Sequence, residues 1–111
     1  MSQLKIGVVG YGNWGKNHVR VLSELNHLGG VYDELYSNAN STENIKFHNS
    51  LEELINNVDG LIISSPANTH YEIAKYFLEN AIHVNVEKPM TVTVPEAEEL
   101  CALAKTKNLK L

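Results

Sequence analysis

The chain has 111 residues, 43% of them hydrophobic and 20% charged, an ordinary balance that excludes collagen-like, disordered and disulfide-scaffold classes. Nine Lys and Arg against thirteen Asp and Glu leave a net charge of −4, which argues against nucleic acid as a partner, because a duplex attracts a basic face. Its single cysteine, Cys101, excludes an internal disulfide and suits a reducing compartment. Lys5 interrupts the apolar stretch near the start, and no run approaches a membrane span. One cytoplasmic domain over residues 1–111 is therefore expected, with no membrane partner.

The run Leu4 to Val9 is nearly all apolar, as a strand covered on both faces should be. It feeds Gly10-Tyr11-Gly12-Asn13-Trp14-Gly15, after which a helical pattern runs from Trp14 to Leu25, with Val19, Leu22 and Ser23 facing inward. Leu28 to Asp33 reads as a second strand, whose Gly29 and Gly30 mark close approach of another backbone. Residues Glu34 to Asn44 show no periodicity and read as loop with room for one helical turn. Ile45 to His48 reads as a short strand, and Ser50 to Glu53 as a capping box opening a helix through Ile55.

Gly60 to Ser64 is a further apolar strand, followed by the loop Ser65-Pro66-Ala67-Asn68. Thr69 to Glu72 reads as a second capping box, and the helix behind it presents Ile73, Ala74, Phe77, Leu78 and Ala81 as one buried stripe. Ile82 to Val86 is the next strand, ending in Glu87-Lys88-Pro89. A third box, Thr93 to Glu96, opens a helix with Ala97, Leu100, Cys101 and Ala104 as its inner face. Asn108 to Leu111 reads as the beginning of a sixth strand.

Strands alternating with helices predict an α/β fold, a doubly wound parallel sheet of Rossmann-like type with its sixth strand truncated. Ligands of such sheets bind beyond the carboxyl ends of the strands. That rim collects Gly10 to Gly15, Asp33, Ser65 to His70, and Glu87-Lys88.

A strand, G-x-G-x-x-G and a helix in this order form a dinucleotide fingerprint. The first glycine permits the turn, the second lets backbone approach a pyrophosphate, and the third lets helix pack on strand. Asp33, 18 residues beyond Gly15, is placed to hold the adenosine ribose hydroxyls. Its charge would repel a 2′-phosphate, so NAD is favoured over NADP. Gly10 to Lys16 also fits the start of a P-loop, but Asn17 stands where Ser or Thr should hold magnesium. The five histidines show no metal-ligand spacing, and no metal site is expected. Trp14 reads as an apolar side chain packing at the helix start, with capping of a cofactor or substrate as its other use. Cys101 reads as a small core residue.

Gly10-x-Gly12-x-Trp14-Gly15, Ser65-Pro66-Ala67-Asn68-Thr69-His70 and Glu87-Lys88-Pro89, in that order, resemble the nucleotide-binding domain of the Gfo/Idh/MocA oxidoreductases. The resemblance covers essentially the whole chain. It implies an NAD(P)-dependent enzyme acting on a carbinol carbon of a sugar, inositol or nucleotide-sugar. It further implies that Gly10, Tyr11, Gly12, Asn13, Trp14 and Gly15 hold the pyrophosphate turn and Asp33 the ribose. Ser65, Pro66, Asn68 and His70 would lie along the nicotinamide half, with Glu87 and the catalytic Lys88 beside the reacting centre. A cis Lys88–Pro89 bond is expected to help aim Lys88.

The family has a second domain that holds substrate, and none of it falls within these residues. Alone, the chain is expected to bind dinucleotide without turnover, and the Ile82 to Val86 strand would be an edge open to self-association. The alternative reading is a stand-alone dinucleotide-binding module without catalysis.

Overall fold

The computed structural model describes residues 4–111. Four parallel strands, β1 (Ile6–Val9), β2 (Leu28–Tyr32), β3 (Gly60–Ile63) and β4 (His83–Val86), lie in the order β2-β1-β3-β4. The order reverses at β1, which pairs with β2 on one side and β3 on the other. Successive side chains of a strand point to opposite faces, and two apolar layers follow from that alternation. Val8 joins Val31 and Phe47 under Val19 and Leu22 of helix α1 (Asn13–Glu24). Val9 joins Leu61, Ile63 and Val84 on the other face.

That second face is covered by α2 (Leu51–Ile55), α3 (His70–Glu79) and α4 (Val94–Thr106), through Leu54, Ala74, Phe77, Leu78, Leu100 and Ala104. Each large side chain there contributes on the order of 2 kcal/mol through the area it removes from water. Thr93 caps α4 through a reciprocal pair with Glu96, as its spacing predicts, and Ser50 accepts from the Glu53 N–H at the start of α2.

Several expectations are corrected. Thr69 precedes α3 but gives it no side-chain cap, because its hydroxyl is used within the preceding loop, on the Pro66 carbonyl. Ala81 lies beyond α3 in a left-handed conformation (φ 65°) and is exposed, so the buried stripe ends at Leu78. Cys101 faces solvent; Leu100 and Ala104 carry the inner face of α4. Ile45 to His48 makes one bridge, Val31 to Phe47, in place of a strand. Asn108 to Leu111 forms no strand either. The Val84 N–H nonetheless donates to the Lys110 carbonyl at 3.0 Å, so β4's outer edge carries a backbone partner there.

At Gly30 the approaching group is a side chain, where backbone was expected. A Cβ there would stand 2.6 Å from His48 Nε2. His48 is buried, its Nε2 has no hydrogen-bond partner, and its Nδ1 lies 3.6 Å from Glu53 Oε1. Burial first, and then the Lys46 charge, pushes its pKa below the ordinary histidine value, with Glu53 opposing.

The joint between β1 and α1 is as tight. A Cβ on Gly15 would fall 1.8 Å from the Gly10 carbonyl oxygen, and Gly10 itself holds φ 99° against the Ser64–Ser65 backbone. Gly15→Ala is expected to destabilise the fold by about 3 kcal/mol, read as a drop in the urea midpoint. Because the folded state of His48 disfavours the proton, its contribution is present above the unfolded pKa near 6.5 and is lost as pH falls below it. The urea midpoint should therefore fall between about pH 7.5 and about pH 5.5 more steeply in the parent than in His48→Gln.

Candidate functional site

The carboxyl ends of β1, β2, β3 and β4 open onto two cavities that share Ser64 and Ser65 as a common wall. The first, about 490 Å³, is lined by Gly10, Gly12, Asp33, Glu34, Pro66 and Ile73 among others. The second, about 560 Å³, is lined by Trp14, His18, Ala67, His70, Glu87 and Lys88. The glycine turn stands between them, at the point where the strand order reverses.

That turn is held from three sides. The Gly10 N–H donates to the Tyr32 carbonyl at 2.8 Å, and the Tyr11 N–H donates to Asp33 Oδ2 at 2.7 Å. Ser64 Oγ donates to the carbonyls of Val9 and Gly10. Gly12 is the N-cap of α1 and brings no side-chain acceptor, and the first turn of α1 contains no acidic residue. Its free N–H groups and positive dipole end therefore face outward and attract an anion. A Cβ on Gly12 would meet nothing within 4 Å, which leaves open space over the turn.

Asp33 does more than its position at the end of β2 suggests. Oδ2 takes the Tyr11 N–H and Oδ1 takes the Leu35 N–H at 2.8 Å. Each oxygen keeps a further lone pair for a hydroxyl donor. The Tyr11 ring turns away from the cavities, into an aromatic group with Tyr36 and Phe47 at centroid distances of 5.2 and 5.0 Å. That group, with the capping of a short 3-10 turn at Asn38–Asn40 by Ser37, orders the stretch that shows no periodicity in the sequence.

In the second cavity His70 is 1% exposed and spans two loops. Its Nε2 lies 2.7 Å from the Ser65 carbonyl and its Nδ1 2.7 Å from the Pro89 carbonyl. Both partners only accept, so a ring N–H donates to a carbonyl while the ring spans the gap between the two loops. Ser65 Oγ is paired with Thr69 Oγ1 at 2.7 Å. The Lys88–Pro89 peptide bond is cis, and Lys88 is exposed at the cavity mouth.

His18 of α1 reaches Glu87 at 2.7 Å, which joins the glycine-turn helix to the end of β4. Sequence reasoning passed over His18, although it lies one helical turn beyond Trp14 and so on the same face. Ser64 and Glu34 were also passed over; nothing in their local pattern separates them from strand-end residues. Trp14 corrects another expectation, being 69% exposed in the cavity wall, so it is not packed at the helix start. Asn13 and Asn68 are exposed and line neither cavity.

The family model for the oxidoreductase family with an NAD-binding Rossmann fold matches residues 4–111. The chain is 29% identical, over its full length, to 36% of UDP-N-acetylglucosamine 3-dehydrogenase of Acidithiobacillus ferrooxidans. It is 39% identical, over 84% of its length, to 28% of glucose-6-phosphate 3-dehydrogenase of Bacillus subtilis. Among solved structures, the Acidithiobacillus enzyme superposes with a TM-score of 0.86 over 98% of this chain and 37% of that one, at 28% identity. GenD2 from gentamicin A biosynthesis, solved with NAD, gives 0.84 over 98% of this chain and 33% of that one, at 26% identity. The chain thus spans about a third of the length of these relatives. With its parallel sheet, its glycine turn at the strand-order reversal and this match over nearly every residue, the chain belongs to the Gfo/Idh/MocA oxidoreductase family, as its NAD-binding Rossmann domain.

Proposed function

We propose that this chain binds NAD across its two cavities and serves a dehydrogenase that oxidises a ring carbinol of a phosphorylated or nucleotide-linked hexose. The observation that carries the reading is the open space over Gly12, set between an uncapped helix start and the Asp33 carboxylate. The residues present fit a dinucleotide. Backbone N–H groups of Gly12 to Gly15 would take the pyrophosphate. Asp33 would accept the ribose hydroxyls, and Ser65, Pro66 and His70 would flank the nicotinamide half.

Asp33 and Glu34 both line the first cavity. Two carboxylates there would repel a 2′-phosphate, which favours NAD over NADP. Both named sugar dehydrogenases act, by their names, at the 3-position of a hexose, and this supports the substrate class.

When bound, the nicotinamide supplies the hydride acceptor. The chain's own contribution lies at Lys88. Removing hydride from a carbinol carbon also requires its hydroxyl proton to leave; the proton would pass to solvent beside the exposed Lys88, whose ammonium would stabilise the developing alkoxide. Glu87 is committed to His18 at 2.7 Å, which fixes the backbone just before Lys88. His70 holds the Ser65 and Pro89 carbonyls, and so fixes the backbone just after it.

Gly12→Thr tests the turn: Thr is tolerated at an N-cap and finds empty space, so stability should stay within about 0.5 kcal/mol. NADH binding, followed by nicotinamide fluorescence, should nevertheless be lost, and retained binding would sink the reading. For the cofactor choice, the parent should bind NADH more tightly than NADPH, with Asp33→Asn shrinking the ratio by roughly tenfold. Equal affinities in the parent would overturn that assignment.

A further inference from the structure

The exposed Trp14 is the feature of the rim that the fold does not explain. Its side chain is large and apolar, it sits at the second position of α1, and it is 69% exposed. No hydrogen bond or ring contact engages it among the described residues. Burying an indole normally stabilises a fold by several times the thermal energy, so an indole left in water at the wall of a cavity is available to a ligand. The cavity it lines also holds Lys88, His70, His18 and Glu87. Of its charged groups, Lys88 carries a cationic head with no hydrogen-bond partner among the described residues, and Glu87 is a carboxylate hydrogen-bonded to His18. A cationic ring entering the cavity meets the face of the indole as well as the Glu87 carboxylate that His18 holds in place.

We infer that the Trp14 indole is the stacking surface for the nicotinamide ring and makes this site favour the oxidised cofactor. The inference rests on the dinucleotide reading above. Its physical basis is the charge difference between the two redox forms. The oxidised ring is planar and positively charged, whereas the reduced ring is neutral and puckers more easily. Trp has the strongest π-face for a cation among the side chains. Stacking on it therefore stabilises the oxidised form preferentially. Trp14 acts as a specificity-determining residue for redox state, apart from the alkoxide that Lys88 would stabilise.

Trp14 is also the chain's single tryptophan, so its emission reports on this wall alone. Three ligands separate the possibilities: NAD in its oxidised form, NADH, and ADP-ribose, which lacks the nicotinamide ring. Oxidised NAD should quench Trp14 emission, and ADP-ribose should leave it nearly unchanged. By calorimetry, Trp14→Ala and Trp14→Leu should each weaken oxidised NAD by about three- to tenfold. They should weaken NADH less and leave ADP-ribose unaffected, while Trp14→Phe falls between parent and Ala. Equal losses for all three ligands, or a Leu variant that matches the parent, would overturn the stacking assignment. If the parent binds none of the three, the dinucleotide reading itself fails. If it binds ADP-ribose and oxidised NAD equally, and the variants change nothing, only the role of Trp14 fails.

Discussion

The site depends on a joint in which a helix starts closer to a strand end than any side chain permits. The Gly15 α-carbon lies so near the Gly10 carbonyl that a methyl group would overlap it, at 1.8 Å. This contact aims the first turn of α1 across the end of β1, where β2 and β3 diverge from it on either side. The helix dipole is then directed into the crevice between the two strand ends. The two cavities, their shared Ser64–Ser65 wall and the open space over Gly12 all take their positions from that approach.

Around the joint, the chain holds its turn mostly with backbone-directed bonds. Asp33 and Ser64 directly follow β2 and β3, and each grips the turn through main-chain atoms. The turn is thus braced by both neighbours of β1, and its shape is set before any ligand arrives. A binding surface preorganised in this way avoids part of the ordering cost that a flexible loop would incur on binding.

The strands and the larger helices were legible because burial leaves periodic marks. Val8 and Val9 alternate between two layers, and Leu100 and Ala104 stand one turn apart on α4. Where the marks misled, a local rule had lost to a tertiary one. Thr69 has the spacing of a cap, but its hydroxyl closes the Ser65 loop. Cys101 has the spacing of a core position, but it is exposed while Leu100 and Ala104 carry the inner face of α4. The stretch after Asp33 was opaque because its order comes from Tyr11 and Phe47, residues distant in the chain. In the site, the glycines and Asp33 were readable by type and spacing. The His18–Glu87 pair was not, since it joins residues 69 apart.

His70 gives the second cavity a fixed gauge. Its imidazole is rigid and planar, and each nitrogen abuts a carbonyl of a different loop at 2.7 Å. The separation of those loops is set by the width of one aromatic ring, independent of how long or how polar the loops are. Side chains along them can vary and alter what the cavity recognises while its span stays constant. A cavity framed this way can have its walls edited while the frame is left alone.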